Sequence, residues 1–105
     1  MHVTDEEEYL WFLFQDGDEL LLDVNCGHGG VGYSFTMVLS NDERTEYKAK
    51  GRTYIQSLAN DIHNSAPGLA ISKSKYKERH IFNKFEKEMT QAIKVWREKN
   101  LNVPR

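Results

Sequence analysis

Two apolar segments separated by an Asp-Gly-Asp turn place the strongest constraint on the fold of this 105-residue chain. The first segment spans Tyr9 to Gln15, and the second has the sequence LLLDVNC. Apolar segments on either side of an Asp-Gly pair are typical of a β-hairpin. The second segment places on one face the apolar residues Leu20, Leu22, Val24 and Cys26. Because the first segment is apolar on both faces, we predict that it forms a central or well-covered strand.

A glycine-rich stretch, VNCGHGGVGYSF, contains a G-x-G-x-x-G pattern with glycines at positions 27, 29 and 32. In a dinucleotide-binding fold a helix follows such glycines, because its N-terminal amides receive the pyrophosphate. Here the glycines precede YSFTMVL, which alternates between apolar and polar residues as a strand does. We therefore predict that the stretch is a flexible or bulged connection between two strands of an antiparallel meander. No nucleotide and no other cofactor is expected.

A helix is predicted to begin after this third strand. Ser40 and Glu43 have the spacing of a capping box, and apolar residues continue at helical intervals to Asn64. Gly51 lies inside this segment, where glycine costs about 1 kcal/mol relative to alanine. Its presence indicates either a close approach to the sheet or a local break in the helix.

A second helix is predicted from a stripe of apolar residues between Ile81 and Trp96. Residues 68–72 form a possible short edge strand between the helices. The expected fold is a single α+β domain covering residues 1–105, in the order βββα(β)α. It consists of a three- or four-stranded antiparallel meander with two helices packed on one face.

Charge is distributed unevenly along the chain. Residues 1–50 carry 11 Asp and Glu against 3 Lys and Arg, whereas residues 51–105 carry 5 against 11. If the two signs segregate in space, each face can steer a partner of opposite charge. A single cysteine, and no basic segment before the six-residue apolar run from Tyr9 to Phe14, predict a cytoplasmic protein without an export signal or membrane span.

Cys26 and His28 are the only closely spaced pair of potential metal ligands or catalytic groups among the cysteine and histidine residues. A zinc site needs three or four such ligands at suitable spacing, and the chain has no second pair. Two residues so close together in a glycine-rich loop rarely hold a base and a nucleophile in fixed geometry. We therefore expect no metal site and no catalytic residues, with Cys26 buried at the end of a strand.

Carboxylates are concentrated near the N-terminus and at the predicted turn. Such clusters are usually solvated, but an acidic surface can also dock a basic protein partner. The candidate partner-binding residues are Asp5, Glu6, Glu7, Glu8, Asp16, Asp18, Glu19 and Asp42.

The segment KSKYKER places a basic residue at every second position. If the segment is extended, these side chains line one side and suit phosphate groups, whereas a helix would scatter them. Lysines also protect exposed sheet edges from pairing with other chains. The alternative anion-binding residues are Lys73, Lys75, Lys77 and Arg79.

A resemblance to a known class of proteins is seen at two longer segments, LLLDVNCGHGGVGYSF and SNDERTEYKAKGRTYIQSLANDIHNSAP, within this charged single-domain chain. In size, fold class and charged surface it resembles the small cytoplasmic immunity proteins that bacteria pair with secreted toxins, including those of contact-dependent growth inhibition systems. The resemblance implies a non-enzymatic inhibitor that binds a cognate toxin domain, commonly a nuclease, and blocks its active site. It carries over no individual residue. The competing hypothesis is a small nucleic-acid-binding or polyanion-binding domain that uses the segment 73–79.

Overall fold

The computed structural model describes residues 1–7, 10–28, 31–65, 74–81 and 84–101. Four strands form one antiparallel meander in the order β1 (His2–Glu7), β2 (Trp11–Asp16), β3 (Glu19–His28) and β4 (Val31–Val38). They are followed by α1 (Asn41–Lys50), α2 (Arg52–Ser65), a 3-10 turn (Lys77–Arg79) and α3 (Glu86–Leu101). The predicted α+β class and antiparallel meander are confirmed. None of the helices in the described ranges has the length and apolar character needed to span a bilayer.

β1 adds a strand before the predicted βββα(β)α order, whose first strand corresponds to β2. This first strand is an edge strand that contributes one buried apolar side chain, Val3, and is otherwise largely polar. Its pairing with β2 shifts register between Val3 and Asp5. A charge-rich edge strand of this kind lacks the apolar alternation by which strands are recognised in a sequence.

The predicted hairpin is formed by β2 and β3. The strands pair from Trp11 with Val24 to Asp16 with Glu19, which leaves Gly17 and Asp18 as the connection. Gly17 has a φ of 59°, a conformation that favours glycine in two-residue hairpin turns. β2 lies between β1 and β3, which confirms that the first apolar segment is a central strand.

The glycine-rich stretch joins two paired strands, as predicted. β3 and β4 remain paired through Gly27 with Gly32 and His28 with Val31, so the strands extend farther into the glycines than expected. The chain after Gly32 is strand and not helix. The backbone arrangement of a dinucleotide fingerprint is therefore not formed here.

Helices cover both faces of the sheet, whereas the sequence reading placed them on one. On the first face, called the α2 face, residues such as Trp11 and Leu13 pack against Ile55 and Ile62 of α2. On the opposite face, called the α3 face, the cluster includes Val3, Phe14, Leu21 and Ala92. The physical reason is that β2 is apolar on both sides, so each side requires a cover.

The segment predicted as one helix is divided at Gly51. Gly51 has φ 69° and ψ −147° and ends α1, so of the two explanations offered for this glycine the local break is confirmed. The capping box of Ser40 and Glu43 is also confirmed. The final helix begins at Glu86 and not at Ile81. The possible edge strand at 68–72 lies outside the described residues.

Candidate binding surfaces

The carboxylates of β1 point alternately to the two faces of the sheet. On the α2 face, Arg52 of α2 binds two of them, with Nη1 2.6 Å from Oδ1 of Asp5 and Nη2 in contact with Glu7. The same guanidinium lies 5.0 Å from the ring centroid of Trp11. Asp5 and Glu7 therefore share a single cation, so the group of three side chains keeps one net negative charge and offers less free charge than two unpaired carboxylates would.

Glu6 lies on the opposite, α3 face. Its Oε1 accepts a hydrogen bond of 2.9 Å from Nε1 of Trp96, which is on α3. Glu6 forms no ion pair within the described residues. Glu8, the fourth acidic candidate of this segment, lies outside the described residues.

The remaining acidic candidates form a separate group at the end of the sheet where β2 turns into β3 and α1 begins. All four are exposed, and we call them the turn-end carboxylates: Asp16, Asp18, Glu19 and Asp42. Arg44 connects the turn to α1, since its Nη1 donates to the backbone oxygen of Asp18 at 2.8 Å. The eight acidic candidates therefore do not form one continuous surface, because β1 runs away from the turn toward Glu7.

The basic segment is only partly displayed to solvent. Residues 77–79 form a 3-10 turn, so the side chains do not alternate as they would in a strand. Lys75 lies 3.9 Å from Asp61 and 5.2 Å from the ring centroid of Tyr76. Lys73 lies outside the described residues.

Arg79, the last residue of the basic segment, is engaged inside the protein. Its guanidinium donates to both carboxylate oxygens of Glu43, at 2.9 and 2.6 Å, and to the backbone oxygen of Val38 at 2.7 Å. Although burial opposes it, the hydrogen bonds and charge of Arg79 hold the pKa of Glu43 below its ordinary value. This pair attaches the 3-10 turn to α1 and leaves Arg79 little capacity for an external phosphate.

Cys26 is buried, and its Sγ lies 3.7 Å from the backbone oxygen of Val24. Burial raises the pKa of the Cys26 thiol, which keeps it protonated and weakly nucleophilic. The backbone of His28 pairs with Val31, whereas its side chain lies outside the described residues. Among the side chains that are described, no group of three His, Cys, Asp or Glu residues is placed to hold a metal ion.

A polar cluster that sequence analysis did not single out lies on the α3 face near the β4 edge. Thr36 is 4% exposed, and its Oγ1 donates to Oδ1 of Asp23 at 2.9 Å. The backbone N–H of Thr36 donates to Nδ1 of His80 at 3.1 Å, and the His80 ring stacks on Phe35. Burial raises the pKa of Asp23, and this outweighs the lowering effects of the Thr36 hydrogen bond and the His80 charge. A lone Asp in an alternating strand gave no sequence signal for this environment.

A cleft of about 430 Å³ lies on the α2 face, between α2, the start of β2 and the middle of β3. Its apolar part includes Trp11, Val24 and Ala59, and its polar part includes Gln56 and Asn60. At its rim the side chain of Leu10 is 55% exposed. Glu7, which is paired with Arg52, and His63 also line the cleft, and this mixture of groups does not define a ligand.

Comparison of the chain with protein-family models, with curated proteins and with solved structures finds no match.

Proposed function

We propose that the protein is a non-enzymatic protein-binding module, an immunity protein that neutralises a cognate toxin by docking an acidic surface against it. The observation that supports this proposal best is the display of the four turn-end carboxylates at one end of the molecule. The competing acidic segment in β1 is largely occupied by Arg52. The turn end is thus the part of the acidic half in which all four carboxylates are exposed to a partner.

The turn-end carboxylates are attached to a framework that fixes their positions. Gly17 and Asp18 form a two-residue turn between paired strands, and Asp42 lies in the first turn of α1, between the two capping-box residues Ser40 and Glu43. Arg44 holds these two elements together through the backbone oxygen of Asp18. A surface that is already ordered loses little conformational entropy on binding, which favours affinity.

These carboxylates have weak internal partners or none. Asp18 and Asp42 form no ion pair within the described residues, whereas Asp16 lies 3.7 Å from the N-terminal amine and Glu19 lies 3.4 Å from Arg44. Exposed ion pairs of this kind contribute about 0–1 kcal/mol, so a partner's cations can replace them at little cost.

A nuclease toxin would suit such a surface, because its substrate groove is basic and a carboxylate group can occupy the place of a phosphate. Complementary charge also accelerates encounter, with association rates that fall as salt is added. An inhibitor that must capture a toxin before it acts benefits most from this rate enhancement.

The proposal can be tested with a toxin identified from the reading frames next to the gene, or captured from the native host. Replacement of Asp16, Asp18 and Glu19 by Lys is expected to reduce the association rate at least tenfold at low salt, because steering is lost. The reduction should be smaller near 1 M salt, where the Debye length is only about 3 Å. Stopped-flow or surface-based kinetics would measure both rates.

A matched charge reversal on α3, which covers the opposite face of the sheet, serves as the control: Glu86, Glu88 and Glu98 to Lys. Thermal melts would confirm that both variants are folded. Equal association rates for the wild type and the turn-end variant at low salt would contradict the proposal. Loss of rate in the α3 variant alone would move the docking surface to the other face.

The alternative function, a nucleic-acid or polyanion binder, predicts affinity for generic RNA or DNA that falls steeply with salt. The internal pair of Arg79 with Glu43 gives this alternative less support than the acidic surface has. Absence of binding at low ionic strength would eliminate it.

A further inference from the structure

One row of side chains crosses the sheet on the α3 face. The strand register aligns Glu6 with Phe12, Phe12 with Asp23, and Asp23 with Thr36. Directly opposed residues of neighbouring antiparallel strands have Cβ atoms about 5 Å apart. The aromatic ring of Phe12 is therefore flanked by a carboxylate on each side.

Neither carboxylate forms an ion pair within the described residues, although Asp5 and Glu7 on the other face share Arg52. The charge of His80 acts on Asp23 but does not offset the effect of its burial. Glu6 accepts a hydrogen bond from the neutral indole of Trp96, and Asp23 accepts one from the neutral hydroxyl of Thr36. A carboxylate has about four acceptor positions, so each retains capacity for further donors. Partly buried carboxylates that lack a counter-charge are costly for a fold to maintain.

The row borders an open part of the sheet face. The next cross-strand pair toward the glycine-rich hairpin is Asn25 with Ser34, and both residues are exposed. Within the row, the side chains of Glu6, Phe12 and Asp23 are partly exposed. A group approaching from solvent beside α3 would therefore meet an aromatic ring between two acceptors.

We propose that Glu6, Phe12 and Asp23 form a binding site for an arginine side chain presented by a protein partner. The planar guanidinium stacks on an aromatic face and carries five N–H donors in a fixed fork. It can thus lie over Phe12 while donating to carboxylates on either side. A lysine ammonium is a compact point charge that lacks this planar stacking.

This site is separate from the turn-end carboxylates and extends the proposed function to a second surface. Its test requires no toxin, so failure of either proposal leaves the other unaffected. The probe is N-acetyl-arginine methylamide, titrated at low salt into ¹⁵N-labelled protein while amide chemical shifts are followed by NMR. The corresponding lysine and norleucine compounds are titrated in parallel.

The arginine probe is expected to shift the amides around Glu6, Phe12 and Asp23 and to bind more tightly than the lysine compound. Asp23→Asn and Glu6→Gln should each weaken its binding about tenfold, because a charge-assisted hydrogen bond is lost. Both replacements keep an oxygen acceptor for Thr36 or Trp96, so the fold is retained, and unchanged distant amide shifts would verify this.

Asp18→Asn, in the turn-end carboxylates, is the matched control and should leave the affinity unchanged. Three outcomes would overturn the proposal: no shifts at the row in the wild type, equal binding of the lysine compound, or weakening by Asp18→Asn and not by Asp23→Asn. Shifts that the norleucine compound reproduces would also overturn it, since the charge would then have no role.

Discussion

At the scale of single residues, Asp23 lies at a position that disfavours the charged form of its carboxyl group. Its pKa in the folded protein is raised above the ordinary 3.8 by burial. The folded state is therefore favoured below pH 3.8, and this contribution is lost as pH rises through the raised pKa. We expect Asp23→Asn to raise Tm at pH 7 by about 2–5 °C.

The gain should vanish at pH 3, where the wild-type carboxyl is protonated in both states. Thermal melts of both proteins at the two pH values would measure it. A lower Tm for Asp23→Asn at pH 7 would show that the charge is already compensated inside the fold. A carboxylate kept at a cost in stability is the pattern expected of a residue that serves binding.

Gly51 is a residue whose identity is dictated by the backbone conformation. Its φ of 69° and ψ of −147° lie in a region essentially restricted to glycine, although no atom lies within 4 Å of an added Cβ. Gly51→Ala should lower the free energy of unfolding by about 1–3 kcal/mol through backbone strain alone. Urea denaturation would measure this loss, with Thr53→Ala on exposed α2 surface as the control. Equal midpoints for the two variants would contradict it.

At the scale of elements, α1 is a helix without a buried residue. It packs on the core through the partly buried Tyr47, and its position also depends on polar contacts, chiefly the pair of Glu43 with Arg79, whose side chains are 13% and 32% exposed. Glu43→Gln should reduce the free energy of unfolding by about 1–2 kcal/mol. Because the pKa of Glu43 is lowered in the folded state, this contribution is present above its ordinary pKa and is lost as pH falls through the lowered value.

Glu46→Gln is the matched control on the same helix, since Glu46 forms an exposed pair with Lys50. Such pairs contribute about 0.3–0.5 kcal/mol. Urea unfolding at pH 7 would compare the variants, and equal losses would refute the role assigned to Glu43.

Most elements follow from local patterns in the sequence, whereas β1 and the distribution of the helices do not. The hairpin around Gly17, the capping box at Ser40 and the strand after Gly32 are each specified by neighbouring residues. β1 is specified by its pairing with β2, which a charge-rich segment does not reveal. The apolar character of β2 on both faces predicted a central or well-covered strand, but both helices were expected on one face of the sheet.

The candidate site was predictable only in part for a related reason. The acidic residues of β1 are consecutive in sequence, yet alternation sends Asp5 and Glu7 to Arg52 and sends Glu6 to the opposite face. The register that places Phe12 between Glu6 and Asp23 joins three strands, and no local pattern encodes it.

At the scale of the whole molecule, one sheet is shared by two cores, and each core contains a tryptophan. Trp11 belongs to the cluster on the α2 face and Trp96 packs against the cluster on the α3 face. Because β2 contributes to both, we expect the two cores to unfold in one cooperative transition. The test uses the single-tryptophan variants Trp96→Phe and Trp11→Phe. For each variant, the unfolding midpoint from tryptophan fluorescence would be compared with the midpoint from far-UV circular dichroism. Fluorescence and circular dichroism midpoints that differ within one variant would show that α3 detaches independently.

The two outer strands of the sheet are both interrupted. The register shift in β1 displaces its outward N–H and C=O groups from regular spacing, and the N–H of Ile81 donates to the backbone oxygen of Thr36 on β4 at 2.9 Å. A neighbouring copy would therefore find no long regular row on which to add a strand. We therefore expect these edges to pair with further strands less readily than uninterrupted edges would, so that contacts with other proteins fall to the side chains.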